Sequence, residues 1–148
     1  MTGLVLPKID KSTIHKKDYI VKSLQKITNT NNVLSHGDEV KPYETDALAA
    51  YKQTPLVVVL PENTKEVSKI LKFCNDENIK IIPRGAGTGL SGGALPLQDA
   101  IMLGLGKFNK ILEIDFDNKC VVAQPGVTNL SITHAVQHKE FYYAPDPS

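Results

Sequence analysis

Apolar residues recur along this chain with two periods, and the change from one to the other marks out its elements. Ile20, Leu24 and Ile27 fall at i, i+4 and i+7, which predicts one amphipathic helix over 16–28, stopped by Asn29 to Asn32. Val33 to Gln53 reads as polar and loop-like, with Gly37, Pro42 and the cluster Tyr43, Glu44 and Asp46, whose carboxylates suit solvation or capping. Leu56 to Leu60 is an unbroken apolar run between Pro55 and Pro61, the pattern of a parallel strand buried on both faces. Asn63 with Glu66 resembles a capping box, and Val67, Ile70, Leu71 and Cys74 make a helical face to about Glu77. A strand over Lys80 to Ile82 completes a βαβ unit, whose crossover should be right-handed.

Beyond this unit the pattern shortens. Ala100 to Leu105 predicts a third strand and Gly104 to Asn109 a turn. Ile111 to Asp115 and Lys119 to Ala123 flank Asp117-Asn118, a credible hairpin turn. Thr128 or Asn129 caps a last helix with Ile132, Ala135 and Val136 on one face. The fold class expected is α+β. A helix and polar lead-in (1–53) precede a small parallel βαβ lobe (54–106) and the start of an antiparallel-sheet lobe (107–148).

Composition narrows the function. At 148 residues the length suits one domain, and a net charge of +1 with scattered lysines argues against a nucleic-acid surface. Met1 to Lys17 carries Pro7 and several charges and offers no apolar run for a signal peptide or membrane span, so a cytoplasmic protein is expected. Cys74 and Cys120 form no metal or redox motif and read as two buried thiols. His134 and His138 stand at i, i+4 in H-A-V-Q-H, but Ala135 replaces the general-base glutamate of a zincin and no third ligand is evident. Exposed helix histidines are expected, and no metal site.

One stretch carries chemistry. Pro83 to Pro96 reads P-R-G-A-G-T-G-L-S-G-G-A-L-P and holds five of the ten glycines beside the only arginine. Glycines at this density let successive N–H groups turn toward one concavity suited to an anion. Arg84, Gly85, Ala86, Gly87, Thr88, Gly89, Leu90, Ser91, Gly92 and Gly93 are therefore candidates for holding a phosphate or pyrophosphate, with Thr88 and Ser91 adding hydroxyl donors. Arg84 either touches phosphate or braces the loop. A mobile connector is the competing reading, and the flanking prolines with little Ser, Asn or Asp filler argue against it. Gly87, Gly89 and Gly92 formally satisfy G-x-G-x-x-G, yet Pro96 and the run Ala100 to Leu105 follow too soon for the helix of a Rossmann fingerprint. No Gly-Lys-Ser/Thr follows either, which excludes a P-loop.

The loop resembles the pyrophosphate loop of FAD-linked oxidases of the vanillyl-alcohol-oxidase type, and more closely that of the FAD-linked glycolate oxidase subunit and its D-lactate dehydrogenase relatives. P-Y-E-T-D-A-L-A-A-Y (Pro42 to Tyr51), P-L-V-V-V-L-P (Pro55 to Pro61), Q-P-G-V-T-N-L (Gln124 to Leu130) and Y-Y-A-P-D-P-S (Tyr142 to Ser148) resemble the same family, in the same order. The resemblance implies FAD lying between a small parallel sheet and a larger antiparallel one, with flanking contacts from Pro125, Gly126, Pro145, Asp146, Pro147 and Ser148. Some relatives attach flavin through a loop histidine whose position matches Thr88, so non-covalent FAD is expected. The implied activity is oxidation of a 2-hydroxy acid, glycolate or D-lactate, with electrons passing to partner subunits or a membrane acceptor. Those partners would be iron–sulfur and second flavin subunits of a glycolate oxidase complex, placing the assembly at the inner membrane periphery. The family's chains run on well past this length, and their cap and C-terminal regions recognise substrate. No catalytic residue is therefore assigned here, and this chain alone is expected to be inactive. A non-catalytic nucleotide-binding or interaction module derived from such an enzyme is the alternative, and a nicotinamide-binding domain a poorer third.

Overall fold

In the computed structural model, which describes residues 7–145, the helical N-terminus is two pieces rather than one. Helix α1 (Lys11–His15) and α2 (Lys17–Gln25) meet at Lys16. The start lies earlier than the apolar period shows because Asp10 caps it, accepting from the Ser12 N–H at 2.8 Å. The end lies earlier because Lys26 and Ile27 turn back onto Ser23 and Leu24.

A four-stranded sheet forms the centre: β1 (Val33–Leu34), β2 (Val57–Val59), β3 (Lys80–Arg84) and β4 (Ala100–Gly104), in the order β1-β2-β4-β3. The three longer strands run parallel, with β4 inserted between the two strands joined by helix α4 (Thr64–Asp76), while β1 is antiparallel to β2. Strand β3 continues through Pro83, two residues past the expected end. As an edge strand it needs a ladder partner on one side only, so proline is tolerated.

The residues expected as a loop-like lead-in are therefore partly sheet. Besides β1 they form the short helix α3 (Gly37–Val40) and a 3-10 turn at Lys41–Tyr43. Alternation divides the core. Val57, Val59, Ile101 and Leu103 meet Ile20, Leu24, Ile70 and Cys74 on one face, while Val58 and Met102 meet Val40 and the ring of Tyr43 on the other. Helix α4 starts as its sequence suggests, with Asn63 accepting from the Glu66 N–H at 3.0 Å. The Glu66 carboxylate reaches one residue further back than in a capping box, to the Glu62 N–H at 2.9 Å.

A buried carboxylate ties the N-terminus to this sheet. Asp99, 2 % exposed, accepts from the Asp10 N–H at 2.6 Å and from Lys80 Nζ at 2.7 Å. Burial pushes its pKa up, but those two donors and the ammonium charge outweigh it, and the carboxyl titrates below its ordinary value.

The remainder is lighter. Strands β5 (Ile111–Asp115) and β6 (Cys120–Ala123) pair with each other alone among the described residues, and helix α5 (Asn129–Val136) turns Ile132 and Val136 inward. The hairpin turn is set by Asp115, which accepts from the Asn118 N–H at 2.9 Å, and its left-handed residue is Lys119, one past the expected pair. Thr128 caps α5, accepting from the Ser131 N–H at 3.1 Å. The two cysteines part ways. Cys74 is buried in the core and its thiol is pushed up to about 11 by desolvation, whereas Cys120, expected to be buried, is exposed on β6.

Candidate functional site: the glycine loop and its brace

The glycine loop leaves the carboxyl end of β3, an edge strand, and returns at the start of β4, so nothing in the sheet covers it. Gly85, Ala86, Thr88, Gly89, Leu90, Ser91 and Gly93 are all exposed. Among the described residues, none of the backbone N–H groups from Gly85 to Ala94 donates to another residue, and the Thr88 and Ser91 hydroxyls have no partner. The loop thus presents a run of uncommitted donors, the physical requirement for an anion cradle.

Its shape is nevertheless fixed. Gly87 and Gly92 hold the left-handed region at φ 77° and 75°, where an L side chain is strained. A Cβ on Gly87 would run into the Arg84 guanidinium. Around Gly85, Gly89 and Gly93 a Cβ would meet open space, so those positions leave room for a guest to approach the backbone.

Of the two roles anticipated for Arg84, its contacts within the chain are those of a brace. Its guanidinium turns away from the open side, donates from Nη1 to the Thr45 carbonyl at 2.7 Å and lies 5.7 Å from the centre of the Tyr43 ring. It braces the loop from beneath. The same segment adds a second tie, the Ala47 N–H to the Gly87 carbonyl at 2.8 Å, and a third where Leu48 lies 3.5 Å from the place a Gly92 Cβ would occupy. Residues 43–48 are the part of the site that sequence reasoning missed. The signal available was Asp46 itself, a residue type whose side chain closes turns two residues on: its Oδ1 accepts from the Leu48 N–H at 2.9 Å.

The flanking candidates are reached through one joint. Leu105 donates its N–H to the Arg84 carbonyl at 2.9 Å, and Gly126 donates to the Phe108 carbonyl at 2.7 Å. A Cβ on Gly126 would lie 2.6 Å from the Leu105 carbonyl oxygen and 2.8 Å from that of Phe108. Gly126 is thus a packing glycine with its donor committed, whereas Pro125 beside it is exposed. The tail folds back along α5, with the Tyr143 N–H on Thr133 Oγ1 at 3.1 Å and the Pro145 carbonyl on Asn129 Nδ2 at 3.1 Å. Pro145 therefore stands at the helix end next to the Gln124–Val127 turn. Asp146, Pro147 and Ser148 lie outside the described residues.

A separate hollow lies in the hairpin region. An open cavity of about 440 Å³ separates the hairpin from α5 and the tail, lined by Ile114, Phe116, Val121, Ile132, Val136 and Phe141. No residue of the glycine loop lines it. His134 and His138 are both exposed, and the His138 ring meets the edge of Phe116 at 5.8 Å. No group of His, Cys, Asp and Glu among the described residues could hold a metal ion.

Residues 55–148 match a protein family described as FAD binding domain. The chain belongs to this family. The chain is 41 % identical over 143 residues to the glycolate oxidase subunit GlcD of Escherichia coli K12, covering 97 % of this chain and 28 % of that protein. It is 38 % identical over 113 residues to a D-lactate dehydrogenase of Anaerostipes hadrus, covering 75 % and 24 % respectively. Among solved structures, p-cresol methylhydroxylase with substrate bound superposes with a TM-score of 0.73 at 27 % identity, over 93 % of this chain and 27 % of that one. The chain spans about a quarter of the length of each. FAD is the cofactor of this family, and the loop fits it: an anionic diphosphate needs several backbone donors free at once, and 85–94 supplies them on a fixed frame. Among the described residues no helix is long and apolar enough to cross a membrane.

Proposed function

We propose that Gly85 to Gly93 cradle the pyrophosphate of FAD, braced by Arg84, and that Pro125 and the tail from Pro145 to Ser148 flank the cofactor while Gly126 fixes the turn that carries Pro125. The chain is then the FAD-binding portion of a dehydrogenase of 2-hydroxy acids, glycolate or D-lactate, working with iron–sulfur and second flavin subunits. The observation that carries this reading is the set of loop N–H groups with no acceptor in the protein. The relatives' glycolate and D-lactate activities support the substrate class.

In such an enzyme, FAD held by these residues would supply the acceptor for a hydride equivalent from the α-carbon of the hydroxy acid. The residues present do the holding. The loop donors neutralise the diphosphate, Gly85, Gly89 and Gly93 let it approach the backbone, and the half-buried guanidinium of Arg84 adds positive charge from below. No histidine lies in the loop, and Thr88 offers no ring nitrogen to join a flavin, so the cofactor is held without a covalent bond.

The test is titration of the chain with FAD, followed by flavin fluorescence, beside Gly87→Val and Gly89→Val. Wild type should bind and release all colour on acid precipitation. Gly87→Val should lose binding through left-handed strain and collision with Arg84, and Gly89→Val by blocking the open face while leaving the fold intact. Unchanged binding in both variants would overturn the assignment.

A further inference from the structure

The described residues contain two buried side-chain atoms without a hydrogen-bond partner, Asp46 Oδ2 and Gln53 Oε1. Asp46 sits in the segment that grips the glycine loop, and Gln53 is tied to that segment by its N–H on the Glu44 carbonyl at 2.8 Å. A carboxylate oxygen kept buried and unpaired opposes folding, so its retention calls for an explanation other than stability. The explanation lies in what Asp46 does with its other oxygen. By accepting from the Leu48 N–H it closes a turn that aims the Ala47 N–H at the Gly87 carbonyl and sets Leu48 against Gly92. The two left-handed glycines of the loop are thereby each touched by a residue that Asp46 orients. Arg84 works from the other side, pinned by the Thr45 carbonyl and pressed against Gly87.

We propose that Asp46 is a positioning residue for dinucleotide binding. Together with Arg84 it holds Gly87 and Gly92 in their left-handed conformations before ligand arrives, so the loop's donors already face one point and little ordering remains to be done on binding. This deepens the FAD reading and rests on it. A ligand met by a preordered loop binds more tightly than one that must order it. Asp46 therefore sets affinity without touching the ligand.

Asp46→Ala and Asp46→Asn separate this from a merely structural role. Asparagine keeps an oxygen for the Leu48 N–H, whereas alanine does not. Three readouts are taken on the same chain: the exchange rate of the Ala47 amide without ligand, the dissociation constant for ADP, and the thermal midpoint without ligand. Asp46→Ala should speed Ala47 exchange and weaken ADP binding by about tenfold or more. Its thermal midpoint should hold or rise, since the unpaired buried oxygen goes with the carboxylate. Asp46→Asn should restore both the slow exchange and the affinity. Arg84→Lys, which keeps the charge but not the planar group against Gly87, should weaken ADP as Asp46→Ala does. Faster Ala47 exchange with unchanged ADP affinity, or no change in Ala47 exchange, would overturn the proposal and leave the FAD site standing. Failure of the wild-type chain to bind ADP at any concentration would instead bring down the site reading itself, and the proposal with it.

Discussion

Val57, Val58 and Val59 on β2 are wholly buried, whereas Leu112 on β5 is 62 % exposed and Val122 on β6 is 47 % exposed. The residue types are the same and the strands are of similar length. The difference lies in what returns to cover them. Strand β2 has a neighbour on each side, α2 and α4 on one face, and the 37–43 segment on the other. The hairpin has one partner strand, and α5 and the tail leave a cavity beneath it. The proposed cradle follows the same division. A phosphate loop must keep its shape while its donors stay unpaired, and only the doubly covered sheet offers that rigid a base.

The largest effect should come from cutting into the covered sheet. Ile101 is fully buried in β4, between β2 and β3, so Ile101→Ala removes apolar area and leaves a cavity that flanking strands cannot close. A loss of about 2–5 kcal/mol is expected. Chemical denaturation measures it, and a loss no larger than that of a hairpin substitution would show that the two regions are equally loose.

The joint between the regions comes next. Gly126→Ala places a methyl group against the carbonyls of Leu105 and Phe108, which are backbone and yield poorly. Overpacking of this kind costs about 1–3 kcal/mol. Because Leu105 also holds the Arg84 carbonyl, the displacement should reach the loop and lower FAD affinity as well. A stability loss with wild-type affinity would show that the hairpin region moves without disturbing the cradle.

Acid sensitivity should be smaller and should belong to the first region. Asp99 has a folded pKa below its ordinary value of 3.8, so it contributes stability that is fully present above that value and is lost as pH falls below it. Asp99→Asn removes this dependence, and Lys80→Met weakens it by taking away one donor and the ammonium charge. Thermal melts from pH 6 to about pH 3 should fall less steeply in Asp99→Asn than in wild type. Parallel curves would assign the acid limb to other carboxylates.

What could be read in advance follows the same boundary. The run Leu56 to Leu60 and the α4 face were legible because each is a local pattern that one element satisfies. The brace was not. Tyr43, Thr45, Asp46 and Ala47 act through backbone carbonyls, a ring face and an N–H, none of which leaves a period in sequence. Strand β1 was hidden for a related reason, since two residues are too few to alternate. Cys120 shows the converse failure. Its strand was legible, but which face of a two-stranded hairpin meets solvent depends on what packs above it, and Cys120 falls on the open side.

The smallest expected change in stability is the one that most sharpens the contrast. Leu112 makes a solvent-facing position on β5, and Leu112→Ser exchanges exposed methyl groups for a hydroxyl without opening a cavity. The folding free energy should stay within about 0.5 kcal/mol of wild type. Association should respond more. Leu112, Val122, Leu130, Tyr142 and Tyr143 are all exposed on β5, β6, α5 and the tail, and the hairpin's outer strand edges have no partner among the described residues. Exposed apolar side chains beside open edges favour pairing between copies. Wild type should therefore self-associate as concentration rises, and Leu112→Ser should shift that equilibrium toward monomer with its melting curve unchanged. Sedimentation at several concentrations reads the effect directly. A wild type that stays monomeric throughout, with slow exchange of the β5 and β6 edge amides, would mean that the hairpin needs no further cover, and the contrast between the two sheets would then be one of exposure alone.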